Sequence, residues 1–175
     1  MWCPDIKITR GGNLFPIEAE NGDMYNSIIE LSNGAIITGV NTDFSEAKYI
    51  GKGGILAEGI YGGICTHLNP KFTDRYIALF DYKYFYDERT LKRETMIEKM
   101  FTLPSLIYNP TNGDYTVRYI LIHSGGVGSD YSAGCITIWP PHYKLFIDNF
   151  QINDKMRVIL ERDKEWPSPK WYEGK

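Results

Sequence analysis

The chain is predicted to fold as a single, mainly β domain with a few short helices, arranged as a mixed sandwich or barrel. Its 175 residues, of which 43% are hydrophobic and 23% charged, are enough to bury one sizeable core. Thirteen tyrosines and seventeen glycines favour strands separated by many turns. The dipeptides Asn33-Gly34 and Asn112-Gly113 lie next to strand-like runs, which is typical of hairpins. No repeat, linker or low-complexity segment divides residues 1–175, so one domain is expected.

The first half of the chain contains four strand-like runs. Residues 25–31 and 35–40 flank Ser32-Asn33-Gly34 and are predicted to pair as a hairpin. Residues 55–61 and 75–82 are further candidate strands, and the polar, proline-containing stretch 66–74 between them is predicted to be a loop. All four runs are rich in isoleucine, leucine or tyrosine, as a β domain requires.

The second half begins with an ambiguous stretch. Residues 90–101 carry their apolar side chains unevenly and are either a helix or a polar insertion over the surface. A second Asn-Gly turn at 110–114 leads into a predicted strand over 116–122. The proline-punctuated tail, 166–175, is expected to be irregular.

The strongest functional signal is a histidine and a cysteine twelve residues apart, His123 and Cys135. An apolar run ends in His123, a glycine-rich loop follows, and small residues present Cys135 before a second apolar run. A thiol attacks a carbonyl carbon well only as thiolate, and a nearby imidazole can remove its proton and later return it to a leaving amine. The pattern indicates acyl transfer through a thioester. The alternative is that Cys135 is a small core hydrophobe, as most single cysteines are.

At these residues the chain resembles the L,D-transpeptidase catalytic domain (YkuD-like) family. The likeness consists of an apolar strand ending in Ile122-His123-Ser124, a glycine-containing loop, and Ser132-Ala133-Gly134-Cys135-Ile136. It extends to a short helix over 143–150, a closing strand over 156–161, and an upstream segment at 58–61. The good coverage spans residues 116–161, the catalytic motif region, and the first fifty residues match nothing in the family.

The resemblance implies a cysteine transferase or peptidase that acts on peptidoglycan stem peptides without a cofactor. Cys135 would be the nucleophile and His123 the general base. Ser132 and Gly134 would shape the turn, and the amides of Gly134 and Cys135 would be candidate oxyanion donors. The family's usual second histidine is replaced here by Ala133, and the arginine that follows its motif by Thr137. Transpeptidation and hydrolysis are left open by these replacements.

Several neighbours of the motif are candidates for substrate contact. Asp130 and Tyr131 precede it and could either meet a substrate amine or simply cap the loop. Trp139 could wall the cleft, and Arg118 opens the same stretch. His142 is a second candidate base, but it is expected to lie too far along the chain to reach the sulfur. A different class of function, a cell-wall-binding or phage structural module that keeps the fold without catalysis, is the alternative.

The composition gives only weak information on the compartment and the partners of the protein. The net charge of −3 provides no basic surface for nucleic acid. Three cysteines cannot form a full set of disulfides; Cys65 is predicted to be core, His67 a loop residue, and no metal site is expected. No signal peptide is visible and no apolar run could span a membrane. We expect a monomer acting in the periplasm or cell envelope, or a phage-encoded protein released there.

Overall fold

A computed structural model describes residues 3–11, 17–18, 24–25, 27–42, 53–87, 98–125 and 134–163. Within these ranges the strands, in chain order, are β1 Ile6–Arg10, β2 Ile17–Glu18, β3 Met24–Tyr25, β4 Ser27–Leu31, β5 Ile36–Asn41, β6 Gly59–Thr66, β7 Tyr76–Asp81, β8 Thr102–Asn109, β9 Asp114–Arg118, β10 Leu121–Ser124, β11 Ile136–Ile138 and β12 Lys155–Arg162. The α-helix α1 spans Pro140–Ile147, and two 3₁₀ helices span Tyr82–Tyr84 and Glu98–Phe101.

Eight of the strands close into a barrel in the order β1-β12-β6-β7-β10-β11-β5-β4. The pairs β1–β12 and β10–β11 are parallel, and the other neighbouring pairs are antiparallel. Two short two-stranded sheets, β2–β3 and β8–β9, accompany it. The predicted class, mainly β with few short helices, is therefore confirmed.

The barrel strands separate two apolar clusters on their two faces. Side chains of alternate residues point to opposite sides of a strand. The inner set includes Ile77 and Leu79 of β7 and Ile122 of β10 and fills the barrel. The outer set, in which Ala78 and Leu121 alternate with those residues, packs against the 3₁₀ helix Glu98–Phe101. Part of the outer face of β6, β7 and β10 is thus covered.

The predicted hairpin around Asn33-Gly34 is present as β4 and β5. Gly34 has φ of 94°, a backbone conformation that is unfavourable for residues with a side chain. Asn33 Oδ1 accepts a hydrogen bond from the Ala35 N–H. The second Asn-Gly turn joins β8 to β9, where Gly113 has φ of 77°. Both turns form where the dipeptides indicated them.

Several predicted boundaries were wrong. The strand expected over 116–122 is two strands in different sheets, β9 and β10, because Tyr119 takes a left-handed φ of 57° between them. The strand expected over 55–61 begins only at Gly59 and continues to Thr66. The helix implied for 143–150 is α1, which begins and ends three residues earlier. The closing strand is present as β12, whereas most of 90–101 and all of 166–175 lie outside the described residues.

Helix α1 packs against the apolar cluster that fills the barrel through Tyr143, Phe146 and Ile147, all buried. Two prolines open it, at positions where a missing N–H costs nothing. Arg75 closes it by donating hydrogen bonds to the carbonyls of Ile147 and Phe150. No helix among the described residues has the length and apolarity needed to cross a membrane.

A charge cluster around the buried Arg10, which the sequence did not reveal, lies at one end of the barrel. Arg10 is fully buried and donates to Thr42 and to Glu58, which also accepts from Arg162. Burial works to raise the pKa of Glu58, but its backbone hydrogen bond and the two guanidinium groups outweigh that and lower it. Glu58 comes just before β6, so the cluster joins β1, β6 and β12 at the barrel end where β11 begins.

The barrel is expected to lose stability above pH ~8.5 because burial raises the pKa of the Cys65 thiol to about 12. An unfolded thiol ionises near ~8.5, so the stability that the neutral thiol contributes is complete below that pH and is lost as pH rises toward the folded-state value. One such thiol costs about 1.4 kcal/mol of unfolding free energy per pH unit in this window.

Cys65→Ala should therefore unfold at lower denaturant than wild type at pH 7, yet show a shallower decline between pH 9 and 10. Urea titrations at several pH values measure both quantities. Cys3→Ala is the comparison: burial raises the pKa of Cys3 as well, but Cys3 is only half-buried, so the slope should change less in this variant. An unchanged slope in Cys65→Ala would contradict the expectation.

Candidate active site

The structure places His123 and Cys135 on adjacent strands of the barrel. His123 is the penultimate residue of β10, and Cys135 directly precedes β11, as the sequence predicted. The two strands are parallel, with Ile122 opposite Ile136 and His123 opposite Thr137. Continuing this register puts Cys135 opposite Leu121, two residues from His123 and on the same outer face. A hydrogen bond supports this placement, because the Leu121 N–H donates to Cys135 Sγ at 3.3 Å.

The imidazole of His123 is buried and held by two neighbours. Its Nδ1 lies 2.7 Å from the carbonyl oxygen of Ser124. A carbonyl oxygen only accepts, so Nδ1 carries the proton, and Nε2 is the basic nitrogen of the neutral ring. The ring also packs against Phe72, with centroids 4.8 Å apart. An oriented imidazole with a defined basic nitrogen is what general base catalysis requires.

The thiol of Cys135 rests in its neutral form. Burial raises its pKa to about 11, and the hydrogen bond from Leu121 N–H offsets this only in part. Its sulfur also lies 3.8 Å from the Tyr119 carbonyl oxygen, a distance that suits S–H donation. At pH 7 the thiolate is therefore a small minority. Any reaction at neutral pH therefore needs a base that takes the proton as the new bond forms.

Alkylation of Cys135 by iodoacetamide is expected to accelerate about tenfold per pH unit from pH 7 to 10, because only the thiolate reacts and the pKa is raised to about 11. Free cysteine, with a pKa near ~8.5, should level off within this range. Peptide mapping by mass spectrometry after timed labelling measures the rate at each cysteine. A plateau at Cys135 below pH 9 would contradict the raised pKa of this thiol.

Gly134 gives Cys135 its position. Its φ of 124° is a conformation that residues with a side chain rarely adopt. A Cβ built on Gly134 would lie 2.8 Å from the carbonyl oxygen of Gly54 and 3.3 Å from Ile120 Cδ1. The backbone at 54 cannot shift easily, since a Cβ on Gly54 would itself meet Val117 at 2.3 Å. The chain before the cysteine therefore requires glycine for both conformation and space.

Gly134→Ala should destabilise the fold by about 1–3 kcal/mol, from the strained φ together with the clash at Gly54. Gly34→Ala is a matched control, because Gly34 also has positive φ but meets nothing within 4 Å. Urea unfolding of both variants separates the conformational cost from the steric one. Equal losses in the two variants would show that the approach to Gly54 costs nothing.

A cavity of about 440 Å³ opens on the same outer face. Tyr76, Ala78 and Leu121 contribute to its lining from β7 and β10, and Phe101 and Tyr119 contribute from beside them. No side chain lining it is charged. Phe72 joins it to the histidine, because its ring contacts both Tyr76, at 5.0 Å between centroids, and His123.

The structure describes only some of the other predicted site residues. Asp130, Tyr131 and Ser132 lie outside the described residues. Arg118 is exposed at the end of β9, opposite Thr102. Trp139 follows β11, four residues beyond Cys135, or about 13 Å of extended chain.

The remaining histidines and cysteines lie in surroundings that fit structural roles. His142 donates from Nδ1 to the Thr38 carbonyl at the far end of β11, so it points to another part of the barrel. Cys65 is buried in the core and His67 follows β6 in a loop, as predicted. Cys3, Cys65 and Cys135 are all free thiols. Across the described ranges no group of three or more histidine, cysteine or acidic residues could hold a metal ion.

Sequence reasoning missed Phe72, Tyr119 and Leu121. Phe72 lies in a stretch that reads only as a loop, and its contact with His123 joins residues far apart in the chain. The left-handed Tyr119 carries no turn dipeptide that would mark it. Leu121 acts through its backbone N–H, which every residue but proline has. The sequence carried no signal for these contacts.

Comparison of the chain with protein-family models, with curated proteins and with solved structures finds no significant match.

Proposed function

We propose that this protein is a cysteine-dependent acyl transferase or peptidase that acts on peptidoglycan stem peptides through a thioester on Cys135. The observation that carries the proposal is the register of β10 and β11, which puts Cys135 and His123 two residues apart on one barrel face. The spacing between neighbouring strands is about 4.8 Å, and two residues add about 6.6 Å along a strand. Both side chains extend from the same face of the sheet. The His123 imidazole can therefore reach the Cys135 sulfur across this separation.

The orientation of His123 supports a catalytic rather than a core role. A Cys–His pair is activated when a third group orients the base, and the Ser124 carbonyl does this for His123. The neutral resting thiol fits the same scheme, because the base is then needed during attack. Peptidoglycan as substrate rests on the resemblance of the motif around His123 and Cys135, in which Ala133 and Thr137 depart from the usual pattern.

The reaction follows from these groups in two halves. Cys135 Sγ attacks the carbonyl carbon of the donor peptide while its proton passes to His123 Nε2. The C–N bond then breaks, and Nε2–H gives the proton to the leaving amine, which leaves a thioester. An acceptor amine or water attacks this thioester and loses a proton to Nε2. The C–S bond breaks, and the proton returns to sulfur. An amine gives a cross-link, and water gives a shortened stem.

Incubation with purified tetrapeptide muropeptides, with and without an added amine acceptor, tests the proposal. Cross-linked dimers would identify transpeptidation, and loss of a terminal residue would identify hydrolysis. The Cys135→Ala variant is the control for contaminating enzymes. If neither product forms although iodoacetamide modifies Cys135, the assigned substrate is wrong. If wild-type protein is also retained by purified sacculi, the chain is instead a cell-wall-binding module.

A further inference from the structure

The apolar cavity and the cysteine belong to one continuous surface. The registers of β6, β7, β10 and β11 align Ile64, Ala78, Leu121 and Cys135 in a row across four strands. Ala78 and Leu121 line the cavity, and Cys135 is the next position in the row. Two strand spacings separate Ala78 from Cys135, which is about 10 Å.

Leu121 links the cavity to Cys135 directly. Its side chain lines the cavity while its N–H donates to Cys135 Sγ. Tyr119 makes a second link, because it lines the cavity and its carbonyl oxygen lies 3.8 Å from the same sulfur. Its ring stacks on Phe101, with centroids 5.8 Å apart, and this pair forms an aromatic side of the cavity. A group attached near the reacting carbonyl is therefore within reach of the cavity.

We propose that this cavity binds an apolar group of the substrate, an alkyl or aromatic group that flanks the bond cleaved by Cys135. The inference rests on the proposed function and specifies its substrate class. A volume of about 440 Å³ exceeds what one such side chain needs. The cavity has no charged lining residue, so an ionised group would lose its hydration there without gaining a partner. Substrates with an apolar group at this position are thus preferred over those with a charged one.

Paired alkylating probes test the inference without requiring turnover. Iodoacetamide and N-hexyl iodoacetamide have the same reactive group, and only the second carries an apolar chain. Each methylene that leaves water favours binding by a factor of about four. The N-hexyl probe should therefore modify Cys135 at least about tenfold faster than iodoacetamide at pH 8.5. Cys3, half-buried and outside the cavity lining, is the internal control, and its ratio should stay near one.

Two variants assign the effect to the cavity. Ala78→Phe fills it and should reduce the ratio at Cys135 to near one. Leu68→Asp places a charge at its partly exposed edge and should also lower the ratio, with little risk to folding. Ile36→Asp is the matched control, because Ile36 is 61% exposed and lines no part of the cavity. Thermal melts check that each variant is folded.

The outcomes separate the two proposals. A ratio near one at Cys135 in wild type, or a high ratio that persists in both cavity variants, overturns the apolar site and leaves the proposed function standing. Failure of both probes to modify Cys135 while Cys3 reacts overturns both. A high ratio lost in the cavity variants supports the site, even if muropeptides prove not to be the substrate.

Discussion

Cys135→Ala is expected to abolish turnover of muropeptides, to below the detection limit, while the protein stays folded. The thioester forms on Sγ, and no other described thiol lies near His123: Cys65 is in the barrel core, and Cys3 contacts the Lys155 carbonyl. Loss of the sulfur removes an acceptor for the Leu121 N–H, which costs about 1 kcal/mol of stability. Product analysis by liquid chromatography measures turnover, and urea unfolding measures stability.

Cys3→Ala is the matched control for this variant and should retain full activity. Activity that survives in Cys135→Ala would eliminate the thioester mechanism. Complete unfolding of Cys135→Ala would instead indicate that the residue is chiefly a packing element, which was the alternative interpretation of a single cysteine.

His123→Gln is expected to lower turnover by about 10²–10⁴-fold, the usual contribution of a general base. The raised pKa of Cys135, about 11, makes the effect large, because the thiol loses its proton poorly without help. Glutamine keeps much of the volume next to Phe72 but cannot accept a proton at neutral pH. Iodoacetamide labelling of Cys135 at pH 7 should slow in the same variant.

His142→Gln is the control, since His142 lies in helix α1 and its Nδ1 donates a hydrogen bond to the Thr38 carbonyl. It should keep wild-type turnover and labelling. Equal losses in the two variants would point to a general effect of histidine removal on the fold. Wild-type activity in His123→Gln would remove His123 from the mechanism.

The candidate site was only partly predictable from the chain. The positions of His123 at a strand end and Cys135 before the next strand followed from local pattern: apolar runs, a glycine-rich stretch between them, and small residues before the cysteine. The parallel pairing of those strands did not follow, because register depends on which strands become neighbours when the barrel closes. The raised pKa of Cys135 was equally hidden, since desolvation depends on what packs around the thiol.

The amino-acid sequence by itself determined the β class, the two Asn-Gly turns and the core role of Cys65, and it indicated His123 and Cys135 as a candidate pair. These depend on local properties: strand-forming side chains, glycine at positive φ, and the chemistry of imidazole and thiol. Only the tertiary structure decided the break at Tyr119, the buried charge of Arg10, the contact of Phe72 with His123, and the cavity beside Cys135. Each of these depends on residues that are distant in the chain and meet only after the barrel closes. A local sequence pattern does not indicate which residues these will be.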